Sequence, residues 1–220
     1  MSDELGGRPQ TRGEEIANAI SHGTALVASI ALLPVLIVLA VRRHDAWAVV
    51  GAAVFGISMA LLYTTSTFYH MMPHGTRAKR LWRVLDHSAI YVLIAGTYTP
   101  FALGAMRGTL GISLLVLMWA CAVTGVVLKS GGGFRYPRLS TTMYVLMGWI
   151  AVIFVKPMWD MIGPQGLAWI VAGGVAYTGG VVFYALDRLR YRHFVWHLFV
   201  MAGSACHCWA VAAYSAGMGR

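Results

Sequence analysis

RHFVWHLFVMAGSACHCWAV (192–211) is apolar over almost its whole length, yet it holds three histidines, His193, His197 and His207. The apolar run continues to about Tyr214, long enough to cross a bilayer core of about 20 helical residues. Imidazoles are costly to place in hydrocarbon unless they are paired, solvated or bound to something. The stretch therefore reads as a membrane-spanning helix that carries a chemical site.

The rest of the chain agrees with the first half of that reading. Of 220 residues, 58% are hydrophobic and only 11% charged, with a mean hydropathy of +0.66. A soluble domain carries about twice that charge fraction. In lipid, closed helices satisfy the backbone internally, so the expected class is an all-α integral membrane protein. Seven apolar segments are predicted, at roughly 19–41, 46–70, 82–105, 109–128, 139–159, 165–187 and 192–216. They are separated by RRHD (42–45), HGTRAKR (74–80), RG (107–108), KSGGGFRYPR (129–138), GPQG (163–166) and DRLRYR (187–192). No internal repeat interrupts them, so residues 1–220 read as one seven-transmembrane domain with a polar cytoplasmic tail at 1–15.

Basic residues orient such a bundle. One side collects Arg8 and Arg12, then Arg77, Lys79, Arg80 and Arg83, then Lys129, Arg135 and Arg138, then Arg188, Arg190 and Arg192. The other holds Arg42, Arg43, Arg107, Lys156 and Arg220. Twelve against five places the N-terminus in the cytoplasm and the C-terminus outside. The net charge of +9 is then a membrane-topology signal. No basic tract with interleaved aromatics accompanies it, so no nucleic-acid partner is expected. The first residues, MSDELGGRPQTRGEE, lack an apolar stretch before a cleavage site, so no secretory signal is expected. Three cysteines, Cys121, Cys206 and Cys208, lie in apolar segments and read as buried small hydrophobes, not a disulfide framework. The many glycines of the spans, such as Gly173, Gly174, Gly179 and Gly180, read as close helix–helix approaches.

Few polar groups remain inside the spans. The second ends in STFYH (66–70), the third opens with LDHSAIY (85–91), and the seventh supplies the histidines. With the expected topology, Ser66, His70, Asp86, His193 and His197 all fall in the cytoplasmic half of the membrane. His193 and His197 are one helical turn apart, so both rings can face one point. Three imidazoles from two helices, completed by His70, match the ligand pattern of a zinc site with an open position for water. Asp86 suits holding that water or taking its proton, and Ser66 suits bonding the water, Asp86 or a developing oxyanion. A network of interhelical hydrogen bonds is the other reading of the same residues, and other imidazole-binding metals fit the ligand type. His207 lies ten residues beyond His197, about 15 Å along the helix, and suits an interior hydrogen bond or a polar cavity. His74 reads as solvated, and His87 as outward-facing or orienting Asp86. Glu15 reads as a partner of His22 or as a charge favouring the helix N-terminus.

The pattern S-x3-H (Ser66, His70), D-H-S-A-I-Y (86–91), G-T-Y-T-P-F (96–101) and H-x3-H-x9-H (His193, His197, His207) resembles the hemolysin III family. GEEIANAISHG (13–23) and TTMYVLMGW (141–149) look like that family too. It is the bacterial branch of the progestin and adiponectin receptor superfamily, grouped with alkaline ceramidases. The resemblance implies seven spans with a cytoplasmic N-terminus in the plasma (inner) membrane. It also implies one zinc ion held by His70, His193 and His197 plus a water, with Asp86 and Ser66 beside it. In eukaryotic relatives such a site is linked to hydrolysis of ceramide-like lipid amides, and the bacterial branch to membrane-fluidity homeostasis. Membrane lipids are the expected partners. Three function classes follow: a zinc-dependent lipid amide hydrolase, a non-enzymatic receptor or regulator with structural zinc, and a pore-forming haemolysin or transporter.

Overall fold

A computed structural model of the chain describes residues 9–131, 137–186 and 189–215. Arg8, Arg135, Arg188 and Arg220 of the orientation count, and most of the polar tail, lie outside these residues. Every described element is helical: α1 (Arg12–Val41), α2 (Ala46–Met71), α3 (Arg77–Leu103), α4 (Thr109–Ser130), α5 (Pro137–Trp149), α6 (Val155–Ala185) and α7 (Arg192–Tyr214). A 3-10 turn at Ile150–Phe154 joins α5 to α6. Among the described residues, five helical runs are long and apolar enough to cross a membrane: α1, α2, α4, α7 and the 48-residue run Arg138–Ala185. α3 is 27 residues long but more polar, because its first eleven positions hold Arg77, Lys79, Arg80, Arg83, Asp86 and His87.

α1 and α3 start earlier than apolarity suggests, whereas α2, α4 and α7 start where expected. α1 opens at Arg12 because Thr11 accepts from the Glu14 N–H (3.3 Å) while Glu14 accepts from the Thr11 N–H (2.8 Å). This reciprocal box satisfies two orphan donors and draws the polar residues 13–18 into the helix. Asp45 and Thr76 cap α2 and α3. α7 has no side-chain cap. Its first turn is pinned instead by Glu14, whose Oε1 accepts the N–H of Tyr191 (2.8 Å), a residue in the left-handed conformation (φ 56°). One carboxylate thereby ties the start of α1 to the start of α7.

The long run 137–185 is not a straight rod. The indole N–H of Trp149 donates to Thr178 Oγ1 (2.9 Å), although a continuous helix would hold residues 29 apart about 43 Å from each other. The chain folds back at Gly163, whose φ of 71° and ψ of 174° break the helix, followed by Pro164, which lacks an N–H donor. GPQG thus marks a turn, as its composition suggested.

α1 packs on α2 and α7, α2 on α3, α3 on α4, and α6 on α7, while α5 touches its neighbours only sparsely. Polar groups share the interior of the bundle with an apolar core that includes Phe55, Leu114 and Met118. On α1 the buried face holds Glu14, Glu15, Asn18, Ser21, His22 and Ser29 together with Ala25, Leu36 and Ala40, whereas Ile16, Ile20, Val27 and Ile30 are exposed. An apolar exterior with polar groups turned inward is what a lipid solvent selects. Cys208 is buried, Cys121 and Cys206 are partly so, and all three are free thiols. At the end opposite the α1 and α7 starts, Arg43 donates to the Ala212 carbonyl (2.6 Å) and the Ala105 N–H to that of Ser215 (2.7 Å).

Close approach of α2 and α3 depends on Gly96, where a Cβ would lie 2.2 Å from Ser58 Oγ. Gly96→Val is expected to lower the detergent-solubilised melting temperature, at a cost of about 2 kcal/mol or more from overpacking. Gly148→Ala, where a Cβ meets nothing within 4 Å, should leave it unchanged.

Candidate metal centre

Three of the expected residues converge. His70 near the end of α2, and His193 and His197 in the first two turns of α7, place one possible ligand atom each within 4.8 Å of one another. All three are buried, and their ring centroids stand 4.7 to 5.0 Å apart. Neighbouring groups set the ring tautomers. His70 Nδ1–H donates to Glu15 Oε2 (2.7 Å), and its buried Nε2 has no partner among the described residues. Ser21 spends its own proton on the Asn18 carbonyl (2.9 Å), so its oxygen accepts from His197 Nδ1–H (3.0 Å). Both imidazoles thus keep an Nε2 lone pair. An outward hydrogen bond from Nδ1 with a bare Nε2 is how proteins prepare a histidine to hold a metal. The donor set therefore fits an ion, with the nitrogen ligands favoured by zinc and several other transition metals.

Glu15 does more than orient His70. Its Oε1 accepts from Lys79 Nζ (2.8 Å), a buried lysine that also lies over the Tyr69 ring (4.4 Å), and half-exposed His74 stands 3.2 Å away. Of the two earlier readings of Glu15, the pairing with His22 is replaced by pairing with α2 and α3, while its place in the first turn of α1 agrees with the other. His74 is solvated on one side only.

His22 takes an unforeseen place. Its ring stacks on that of His197 at 3.5 Å with an interplanar angle of 5°, and its Nδ1 is hydrogen-bonded to Ser66 Oγ (2.7 Å). Ser66 is thus held by α1, one turn from His70. His87 donates from Nδ1 to the Arg83 carbonyl (2.8 Å) and lies 3.7 Å from Asp86. Asp86, Ser66, His22, His193 and His197 all line one cavity of about 150 Å3. The cavity extends between α3, α5, α6 and α7, past Tyr98 and Phe101 on α3 and as far as His207 on α7. From Asp86 to Phe101 it follows the α3 axis for about 22 Å, along walls that are mostly apolar.

Residues 10–208 match the family described as "Haemolysin-III related". The chain belongs to the haemolysin-III family. It is 44% identical over 201 residues to the "Hemolysin-3 homolog" of Bacillus subtilis (strain 168), covering 91% of this chain and 94% of that one. It is 41% identical over 214 residues to the "Hemolysin-3" of Bacillus cereus, covering 97% of each. A "Monocyte to macrophage differentiation factor" of Homo sapiens is 28% identical over 209 residues, covering 91% of this chain and 84% of that protein. This haemolysin-III protein is thus an integral membrane protein with several membrane-spanning helices and a buried histidine cluster that could hold a metal ion.

The α1 contribution to the centre was missed in the sequence, although a signal existed. Glu15, Asn18 and His22 recur at i, i+3 and i+7, a single helix face. Polar residues at that spacing in an otherwise apolar helix point inward.

Removing an orienting carboxylate weakens metal affinity by about 10- to 100-fold. Glu15→Gln should show a loss of that size in chelator competition. It should also destabilise the fold, because Lys79 loses its buried counter-charge. Adding Lys79→Met should restore the melting temperature without restoring metal affinity.

Proposed function

We propose that this haemolysin-III protein acts in membrane lipid and fluidity homeostasis as a zinc-dependent hydrolase of lipid amides, with ceramide-like molecules as the substrate class. One observation carries the reading. Three clustered histidines, two of them with Nε2 left free by their tautomers, meet where His193 and His197 line one end of a long, mostly apolar cavity that also admits a carboxylate and a hydroxyl. A polar packing network alone would pair His70 Nε2, which instead stays bare.

His70, His193 and His197 hold the ion in this proposal. Zinc supplies Lewis acidity there, activating water and polarising the carbonyl. Asp86, on the cavity wall, takes a proton from the attacking water as it adds to the carbonyl carbon. It then returns that proton to the nitrogen as the C–N bond breaks, leaving a carboxylic acid and an amine. If Ser66 accepts from His22 Nδ1–H, its own hydroxyl proton is free to donate to the carbonyl oxygen. The apolar remainder of the cavity receives the chain and keeps bulk water from the reacting carbonyl.

The proposal includes seven crossings, a cytoplasmic N-terminus and a place in the bacterial inner membrane. The reversal at Gly163 divides the long run into two spans, and α3 crosses with Lys79, Asp86 and His87 buried. The histidine cluster then faces the cytoplasmic leaflet, the side that gathers most of the basic residues.

Elemental analysis of freshly purified protein should find about one zinc per chain, lost in His193→Ala. Asp86→Ala should keep the zinc and lose hydrolysis of a ceramide-like amide by 100-fold or more. Zinc present without turnover of any lipid amide, but with His193→Ala lowering thermal stability, would favour a structural ion in a receptor or regulator. Folded wild type without metal would end the hydrolase reading.

A further inference from the structure

His207 lies about 15 Å along α7 from His197, too far to share the metal centre, and the proposed chemistry does not use it. It is 7% exposed and lines the far part of the same cavity. The ring has a built seat. A Cβ at position 173 would lie 2.3 Å from its Cδ2 and Nε2, so Gly173 clears the space that the imidazole fills. Tyr177 packs edge-on against it at 5.4 Å, with its hydroxyl engaged by Ser204 (2.9 Å).

Its Nε2 faces the Ile170 carbonyl at 3.1 Å. A carbonyl only accepts, so Nε2 carries the hydrogen. In the neutral ring, Nδ1 is then a lone-pair acceptor. That nitrogen is buried and has no partner. An interhelical packing role explains Nε2 alone. A buried acceptor left unpaired costs about 1–3 kcal/mol, and such orphans are few in folded proteins. The seat, the tautomer and the unpaired nitrogen together describe half of a hydrogen bond whose donor is not among the described residues of the chain.

The donor has to be carried into a cavity walled here by groups such as Leu93, Ile170 and Val200. We infer that His207 is a second recognition point in the cavity, accepting a hydrogen bond from a hydroxyl on the chain of a bound lipid whose polar end sits at the histidine cluster. An extended hydrocarbon advances about 1.3 Å per bond, so 15 Å corresponds to a hydroxyl roughly a dozen carbons from that end. The ligand class is therefore a mid-chain-hydroxylated acyl lipid. This rests on the cavity being a lipid site and is independent of hydrolysis.

The test is displacement of a fluorescent fatty acid from the full-length protein in detergent by stearic, 2-hydroxystearic and 12-hydroxystearic acids. In wild type, 12-hydroxystearic acid should bind about tenfold more tightly than stearic acid, the worth of one added hydrogen bond, and the 2-hydroxy isomer should show no such gain. In His207→Leu that ratio should fall to about one with stearic acid binding retained. His207→Gln, which restores an acceptor, should recover part of it. Equal affinities for the stearic and 12-hydroxy acids in wild type would overturn the inference even if the variants fail to fold, as would a preference that survives His207→Leu. Failure of all three acids to displace the probe would overturn it together with the lipid reading of the cavity. A hydrolysis assay on lipid amides, run separately, tells loss of this recognition point from loss of the catalytic reading.

Discussion

A carboxylate withdrawn from water into an apolar bundle must be matched by donors or it unfolds what surrounds it, and Glu15 is matched by three elements at once. Its two oxygens receive His70 at the end of α2 and Lys79 at the start of α3, while its backbone belongs to α1. Such a pair gains strength from its low-dielectric surroundings and is correspondingly costly to break. The same contact determines which nitrogen of His70 faces its neighbours. Interhelical packing at this end of the bundle and the chemistry of the centre therefore depend on one interaction.

Neighbouring Glu14 plays a parallel part through backbone groups. By closing the first turn of α1 and accepting from the Tyr191 N–H, it sets where α7 begins. A shift of one residue either way would rotate His193 and His197 away from His70, because a helix turns about 100° per residue. Two adjacent acids at the start of one helix thus position histidines contributed by two others. This is an economical arrangement in lipid, where apolar side chains provide little preference between alternative helix registers.

Where these polar contacts are dense, α1, α2, α3 and α7 are held close. Where they are sparse, around α5, the bundle leaves room. Trp149 and Tyr98 make the main polar links there, the first to Thr178 and the second to the carbonyls of Met147 and Gly148. The cavity occupies that looser sector and reaches the histidine cluster at one end. A rigid polar cluster beside a compliant apolar space is a combination suited to acting on a lipid: the first preserves geometry, the second accommodates a chain.

Much of this was legible in the residues. Apolar runs and their charged breaks identified a helical membrane protein, and His193 and His197 one turn apart identified a shared face, since helix periodicity is a local property. The convergence of His70 on that face was inferred from topology, and GPQG from its turn-forming composition. Other placements had no local signature. His22 stacks on His197 across 175 positions, and the partners of Glu15 lie 55 and 64 residues away. Lys79 counted as a loop charge until the fold buried it against that acid. The unpaired nitrogen of His207 exists only because the Ile170 carbonyl takes the other one. Sequence by itself determined which segments leave water and which groups would be costly within them, because transfer to lipid depends on each side chain's own chemistry. Only the tertiary structure decided which of those groups meet, because hydrogen-bond partners at 3 Å are chosen by the packing of helices distant in the chain.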